Sequence, residues 1–234
     1  QGEGSAMSTP PARPKVKFQK DRAHVTYKTK AGKRVPGAST VAKIGDDPSA
    51  LLYWAWDLGK QGIDYKKARE GAADIGTLTH FMIQCHLRGE DADLSEFSSE
   101  QQDKAGNAFI KFLEFWQAQK FSTVDTEKQL VSEVHGFGGT LDLVAKDDGY
   151  VLLDWKTSNA IYRPHLIQLA GYEQLWNEHY AFNPIERRAI IRIGKAESND
   201  LEVRWLSDMT PYWEAFKCQL ALYRAFQKLP KNGD

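Results

Sequence analysis

The sequence predicts a mixed α+β domain with a central mixed sheet of about five strands, flanked by helices and preceded by a helical region. Apolar residues recur at helical spacing over residues 47–120. From residue 125 the pattern changes to the alternation and short apolar runs that are typical of strands. An apolar content of 41% in 234 residues is enough for one large core. We therefore expect residues 15–234 to form a single domain.

Residues 1–14 are predicted to lie outside that domain. The residues before Met7 are interpreted as an expression remnant, and the proline-rich stretch that follows as a flexible lead-in. Residues 15–35 alternate polar and apolar side chains and contain a turn signal at Ala31-Gly32. This pattern predicts a short hairpin or arm.

The arm is strongly basic although the formal net charge of the whole chain is zero. Residues 13–34 carry nine Lys or Arg and one acid. The zero net charge argues against a general nucleic-acid coat protein. The basic residues either guard a solvated strand edge or contact phosphates, and the predicted phosphate contacts are Lys15, Lys17 and Lys20.

Residues 36–120 are predicted to form three helices. The first begins at Asp47-Pro48, with proline in its first turn. The second covers Tyr65–Leu87 and ends before Gly89, and the third covers Glu100–Lys120. The first helix has a broad apolar stripe that we expect to be buried, formed by Leu51, Leu52, Trp54, Ala55 and Leu58.

Residues 121–234 are predicted to form the sheet and the helices that cover it. Two helices, Tyr162–Tyr180 and Thr210–Leu229, each carry proline near their start. The predicted strands are Asp125–Val134, Gly139–Lys146, Tyr150–Lys156, Ala189–Ile193 and Leu201–Leu206. The second and third of these strands form a hairpin.

The hairpin brings two acids together. Its loop fits a three-residue turn with Gly149 in the left-handed conformation. A loop of that length pairs residues whose numbers sum to 296, so Asp142 is expected to face Asp154. Like charges at opposed positions of a ladder repel each other.

A lysine shares the face of these acids. Because side chains alternate along a strand, Lys156 lies on the face of Asp154, whereas Trp155 lies on the other. Asp154 also follows an apolar run, where an unpaired charge is costly. A solvent-facing ion pair is the plain structural alternative. Two opposed carboxylates beside a lysine instead favour a divalent metal bound by oxygen ligands.

These motifs, in this order, resemble the PD-(D/E)XK nuclease superfamily. They resemble its RecB-type branch in particular, which includes phage exonucleases and the mitochondrial genome-maintenance exonuclease. The resemblance covers most of residues 35–175, although Leu141 stands where the superfamily has proline. The matching residues are Gly76 to His80 (G-x-x-x-H), Glu127, Gly139 to Asp142, Leu152 to Lys156, and Gln168 with Tyr172 (Q-x-x-x-Y).

The resemblance implies a restriction-endonuclease-like core within residues 121–234 and one or two Mg²⁺ or Mn²⁺ ions. Lys156 would orient the attacking water, stabilise the transition state, or act as base if its pKa is depressed. Gln168 and Tyr172 would contact phosphate or steady the lysine. The implied metal ligands are His80 (or a water-positioning role for it), Asp142, Asp154 and the backbone carbonyl of Trp155, with Glu127 as a possible addition.

The implied activity is that of a metal-dependent DNA exonuclease in recombination, repair or replication processing. Its substrate would be a single strand or a duplex with an end, contacted also by Thr157 and Ser158, in the cytoplasm of a bacterial or phage-infected cell. A structure-specific endonuclease with the same site and a catalytically silent DNA-binding module are the alternatives.

Two cofactor and partner classes are excluded on sequence grounds. The two cysteines, Cys85 and Cys218, are too few for an iron–sulfur cluster, and we expect both to be buried. A membrane partner is not expected, because no stretch approaches the ~20 apolar residues of a membrane span.

Overall fold

The computed structural model of the protein describes residues 13–18, 25–195 and 200–230. Lys20 therefore lies outside the described residues. The helices are α1 Ala38–Ala42, α2 Ser49–Lys60, α3 Tyr65–Leu87, α4 Ser99–Ala118, α5 Arg163–His179 and α6 Thr210–Phe226. The strands are β1 Lys15–Lys17, β2 Tyr27–Lys28, β3 Arg34–Val35, β4 Asp91–Asp93, β5 Ser122–Ser132, β6 Phe137–Lys146, β7 Tyr150–Lys156, β8 Ile185–Ile193 and β9 Leu201–Leu206.

The central sheet has five strands in the order β5-β6-β7-β8-β9. Neighbouring strands are antiparallel except β7 and β8, which are parallel. Parallel neighbours need a crossover connection, and α5 supplies it. The predicted mixed α+β class, with a five-stranded mixed sheet flanked by helices, is confirmed.

Helices cover both faces of the sheet, so the hairpin strands are buried on both sides. On one face α1, α5 and α6 pack against residues that include Val144 and Leu152. On the other face α4 and the end of α3 pack against residues that include Leu153 and Trp155. The Trp155 ring meets the Phe112 ring edge-on at 5.2 Å between centroids. The predicted alternation along β7 is therefore confirmed.

The register of the hairpin agrees with the predicted sum of 296. Leu143 pairs with Leu153 and Lys146 with Tyr150. Continuing this register by one residue places Asp142 opposite Asp154.

The predicted left-handed Gly149 is wrong, because Gly149 is not among the described residues with positive φ. The side chain of Asp147 closes the loop instead: its Oδ1 accepts from the Gly149 N–H at 3.3 Å. The Asp147 N–H also donates to the Gly149 carbonyl at 3.2 Å. A Cβ at position 149 would lie 2.6 Å from the Glu186 carboxylate, so close approach, not φ, disfavours a side chain there.

The N-terminal arm differs in part from the prediction. Strands β2 and β3 form the expected antiparallel hairpin, with Gly32 at φ 79° in its turn. Strand β1 does not join them but runs parallel to the acidic strand β4. Lys15 and Lys17 lie opposite Asp91 and Asp93 in this ladder. Opposite charges at paired positions stabilise such a ladder.

Two burial predictions are also wrong. Leu51 and Leu52 of α2 are 47% and 63% exposed. The contact of α2 with α3 includes Trp54, whose ring meets the Tyr65 ring edge-on. Cys85 is buried, but Cys218 is exposed on α6. Within the described part of the chain, every helix is too short or too polar to cross a bilayer.

Close packing of α5 on β6 yields a stability prediction. A Cβ at Gly139 would lie 2.6 Å from Tyr172 Cε1 and 2.9 Å from Leu175 Cδ1. We expect Gly139→Ala to lower the free energy of unfolding in urea by about 1–3 kcal/mol, because the core is overpacked. Gly106→Ala on α4 is the control, because a Cβ there meets nothing within 4 Å. It should raise stability by about 0.5–1 kcal/mol, and equal effects at both positions would contradict the packing argument.

Candidate metal centre

Three side chains from three elements converge beside the hairpin. The β5–β6 register pairs Thr126 with Leu143 and Lys128 with Leu141, which places Glu127 opposite Asp142. His80 reaches the same point from the middle of α3. One ligand atom each of His80, Glu127 and Asp142 lies within 4.8 Å of the other two. We refer to these three residues as the His–acid cluster.

The backbone of Glu127 is strained. Its φ is +51°, and it is the one non-glycine residue with positive φ in the described part of the chain. This conformation costs an L-residue roughly 1–2 kcal/mol. The preceding residue is clamped by Arg88, which donates from Nε to Thr126 Oγ1 at 3.0 Å and from Nη2 to the Thr126 carbonyl at 3.2 Å. Such strain persists where the surroundings hold it, and it is common at functional sites.

Asp154 is a fully buried carboxylate whose negative charge is only partly compensated by neighbouring groups. Its side chain accepts no well-formed hydrogen bond from the described residues. The Lys156 ammonium lies 2.5 Å from Oδ2 and forms an ion pair with it. Burial raises the pKa of Asp154 to about 6; Lys156 opposes the shift and Asp142 adds to it. A buried carboxylate with a free oxygen is suited to bind a cation.

Asp142 links the His–acid cluster to Asp154. Its Oδ2 accepts from the Trp155 backbone N–H at 2.9 Å and lies 3.8 Å from His80 Nδ1. Burial raises the pKa of Asp142, whereas Lys156 and the Trp155 N–H lower it. The Trp155 backbone thus contacts Asp142 through its N–H and also interacts with His80, and its carbonyl as a metal ligand stays a prediction.

The protonation states of the two basic groups differ. Burial lowers the pKa of Lys156, but Asp154 and Asp142 outweigh it, and the pKa is raised overall. Lys156 is therefore an ammonium in this arrangement, which favours its orienting or stabilising role over that of a base. Burial and Lys156 lower the pKa of His80 to about 4, against Asp154 and the Trp155 backbone. The neutral imidazole that results is the form that binds metals.

Helix α5 brings the Q-x-x-x-Y pair to the same place. Gln168 Nε2 donates to the Tyr172 hydroxyl at 2.5 Å, so the two side chains share a helix face as predicted. Burial raises the pKa of Tyr172 well above its usual value, with contributions from Asp154 and Asp142. Tyr172 is therefore a neutral phenol beside the acids. The phosphate-contacting or lysine-steadying roles of the pair stay predictions.

A cavity of about 900 Å³ opens over the His–acid cluster, and Thr157 and Tyr172 also line it. The other predicted DNA contacts lie elsewhere. The Ser158 hydroxyl donates to the Ala160 carbonyl at 2.7 Å, and Lys15 and Lys17 are not among the described residues that line the cavity.

Several polar residues that line this cavity were not predicted as site residues from the sequence. Gln84 and Arg88 follow His80 at i+4 and i+8 and line the same cavity. Helical spacing from His80 could have identified them. Tyr27 also lines the cavity, and its hydroxyl lies 2.8 Å from Thr140 Oγ1. No local signal in the sequence marks Tyr27.

The donor set fits a divalent cation. Carboxylate oxygens are the ligands that Mg²⁺ and Mn²⁺ prefer, and the neutral His80 nitrogen is a donor that transition metals accept. Glu127 and Asp142 supply the carboxylates at mutual ligand distance with His80, and the buried Asp154 lies beside Asp142 on the neighbouring strand. The geometry therefore suits Mn²⁺ at least as well as Mg²⁺.

No protein-family profile matches the chain, and no curated protein matches it either. A solved structure named "Putative exonuclease", from Eubacterium rectale, is similar at 12% identity over 65% of each chain, with a TM-score of 0.45. The structure of SSO0001 is similar at 15% identity over 64% of this chain and 74% of that chain, with a TM-score of 0.34. The chain thus spans less than two thirds of the length of the first structure.

The approach of α3 to the sheet yields a prediction for the G-x-x-x-H motif. A Cβ at Gly76 would lie 2.6 Å from Thr157 Oγ1, and the χ1 of a β-branched threonine is stiff. We expect Gly76→Ala to displace His80, one turn further along, and to weaken Mn²⁺ binding about tenfold in calorimetric titration.

Two further variants control this experiment. A Cβ at Gly71, on the same helix, meets nothing within 4 Å, so Gly71→Ala should bind Mn²⁺ like the wild type. The double variant Gly76→Ala/Thr157→Ala removes the close contact and should recover most of the affinity. Failure of the double variant to recover would show that the clash is not the cause.

The strain at Glu127 yields a second prediction. Glu127→Gly and Glu127→Ala both remove the carboxylate, but only glycine relieves the positive φ. We expect the glycine variant to be more stable than the alanine variant by about 1 kcal/mol in urea denaturation. Both should bind Mn²⁺ more weakly than the wild type. Equal stability of the two would indicate that the backbone relaxes without strain, and wild-type Mn²⁺ affinity would remove Glu127 from the ligand set.

Proposed function

We propose that this protein is a metal-dependent deoxyribonuclease that hydrolyses phosphodiester bonds from DNA ends. The observation that carries the proposal is the placement of the His–acid cluster beside the buried Asp154–Lys156 pair. Acids and an imidazole at mutual ligand distance, next to a fixed ammonium, suit the hydrolysis of a phosphodiester.

Each residue has a role that its environment supports. His80, Glu127 and Asp142, with Asp154 behind them, would hold one or two Mg²⁺ or Mn²⁺ ions. When bound, such an ion polarises the phosphate and neutralises developing charge. Lys156, held as an ammonium by Asp154 and Asp142, stabilises negative charge on the phosphoryl oxygens and orients the attacking water.

The remaining residues keep this arrangement in place. The Trp155 N–H fixes one oxygen of Asp142 at 2.9 Å, which leaves the other oxygen for a ligand. Arg88 clamps the residue before Glu127. Tyr172, neutral and hydrogen-bonded to Gln168, can donate from its hydroxyl to a phosphate oxygen.

The shape of the cavity supports an end requirement. Its walls come from α3, the residues around α1, the arm strand β2 and the sheet itself. A volume of about 900 Å³ is in the range of small-ligand pockets. A strand that reaches Asp142 therefore enters between these elements, which is easiest from a free end.

Two other functions are compatible with part of these observations. A structure-specific endonuclease would use the same site but a more open approach. A catalytically silent DNA-binding module is disfavoured, because the cluster, the lysine and the Q-x-x-x-Y pair are all brought together. We place the exonuclease activity in recombination, repair or replication processing.

One assay tests the proposal. Linear and covalently closed DNA, single- and double-stranded, are incubated with Mg²⁺, Mn²⁺ or EDTA. We expect progressive loss of linear DNA with either metal and none with EDTA. Asp154→Asn and Lys156→Ala should lower the rate by about 100-fold or more, because each removes a charge that the transition state requires.

Matched exposed substitutions control the assay. Asp103→Asn and Lys120→Ala, both at exposed positions of the α4 region, should retain wild-type activity. Nicking of closed circles would favour the endonuclease. If the wild type leaves every substrate intact, or if the two site variants are as active as the wild type, the catalytic proposal is wrong.

A further inference from the structure

A second concave surface lies between the arm hairpin and the end of α6. It has a volume of about 930 Å³ and is lined by β2, β3 and the connection to Gly37 on one side. The other side is formed by the C-terminal end of α6 and the turn after β5. We call it the basic cleft. Its charged side chains are Lys33, Arg34, Glu133, Arg224 and Lys228.

The basic cleft is electropositive in a chain of zero net charge. Four of its charged residues are basic and one is acidic. The acid, Glu133, already accepts the Lys30 backbone N–H at 2.8 Å. Among the described residues, Lys33, Arg34 and Lys228 have no ion-pair partner.

The rest of the arm is less available to an anion. Lys15 and Lys17 lie opposite the acids of β4, and Lys15 Nζ is 3.9 Å from Asp93. Arg224 is held by the His135 and Gly136 carbonyls, and so it forms a fixed cationic wall of the cleft. Lys28 and Lys30 of the arm are exposed and do not line the cleft. Lys33 and Arg34 are therefore the unpaired cations of the described arm that line it, and Lys228 lines its other side.

The basic cleft adjoins the cavity over the His–acid cluster. Val25, Tyr27 and Gly37 line both. Tyr27 forms the divide: its ring packs so closely on Gly138 that a Cβ there would lie 2.4 Å from it. Its hydroxyl is fixed by Thr140 on β6, two residues from Asp142.

The charges of the two spaces are opposite. The charged residues lining the cavity are Arg88, Glu127 and Asp142, besides the neutral His80. Without metal the cavity over the His–acid cluster is acidic. A polyanion is therefore attracted first to the basic cleft. A chain of phosphates can therefore be held at the basic end while one phosphate reaches the acidic end.

We infer that the basic cleft binds the phosphate backbone of a single DNA strand and leads it past Tyr27 to the His–acid cluster. The inference rests on the proposed function for the identity of the polymer and extends it by naming the path of the strand. Lys33, Arg34 and Lys228 contact phosphates, and Tyr27 and Tyr223 offer rings on which bases stack.

The first experiment uses the wild-type protein. It is acetylated with and without an excess of a single strand of about 20 nucleotides, in EDTA so that nothing is hydrolysed, and modified lysines are quantified by mass spectrometry. DNA should protect Lys33 and Lys228 but not Lys104 or Lys120. Equal modification of Lys33 and Lys228 with and without DNA would overturn the inference, as would protection confined to Lys15 and Lys17.

The second experiment compares two triple variants of equal charge. The cleft variant is Lys33→Gln/Arg34→Gln/Lys228→Gln. The control is Lys60→Gln/Lys104→Gln/Lys120→Gln, whose residues are exposed and line neither space. The affinity of each variant for a fluorescently labelled single strand of about 20 nucleotides is measured in EDTA at several salt concentrations. Urea denaturation checks that both variants are folded.

The cleft variant should bind about tenfold or more weakly at low salt. Its slope of log affinity against log salt should be shallower by about 2, since each lost phosphate contact to a single strand removes about 0.7. The control should keep the wild-type slope. Equal slopes for the two variants would overturn the inference even if DNA is hydrolysed. Cleft-dependent binding by a wild type that hydrolyses no DNA would instead overturn the proposed function alone.

Discussion

Repulsion between carboxylates on neighbouring strands is the constraint on which this site depends. The registers of β5, β6 and β7 align Glu127, Asp142 and Asp154 in one row, at a cross-strand spacing where like charges repel. Complete burial of Asp154 removes the water that would screen it. Lys156 compensates only in part, since burial and then Asp142 still raise the pKa of Asp154 to about 6. Packing on both faces of the sheet therefore holds together charges that separate when the fold opens, and a bound cation adds to stability.

The parts of the fold that were predictable depend on local signals. The bounds of α3, Tyr65–Leu87, follow from an unbroken helical period and a glycine after its end. The hairpin register follows from loop length alone, and so it was right although Gly149 lacks the predicted left-handed conformation. The errors concern distant partners. Strand β1 pairs with β4, and the exposure of Leu52 depends on where α2 lies. Neither the partner of β1 nor the position of α2 can be predicted from a local sequence pattern.

The same distinction between local signals and distant partners applies to the candidate site. Hairpin parity predicted that Asp142 and Lys156 share one face, and the resemblance to the nuclease superfamily added His80 and, as a possible ligand, Glu127. What spacing could not give is the relation between elements. Glu127 belongs with His80 because the β5–β6 register places it opposite Asp142, and Tyr27 belongs there because a short hairpin folds back over the sheet. Such contacts are decided by tertiary packing.

The backbone of Glu127 shows which property the local structure preserves. Strand β5 already contains an irregularity between Thr123 and Asp125, so its register could adapt at little cost. A glycine at position 127 would relieve the strain but remove the carboxylate. A shift by one residue would turn the carboxylate to the other face. Instead the chain keeps a strained glutamate, and Arg88 binds both the side chain and the carbonyl of Thr126 to hold it. The local structure therefore keeps the Glu127 carboxylate in place at a cost in stability. A ligand role for Glu127 requires that placement.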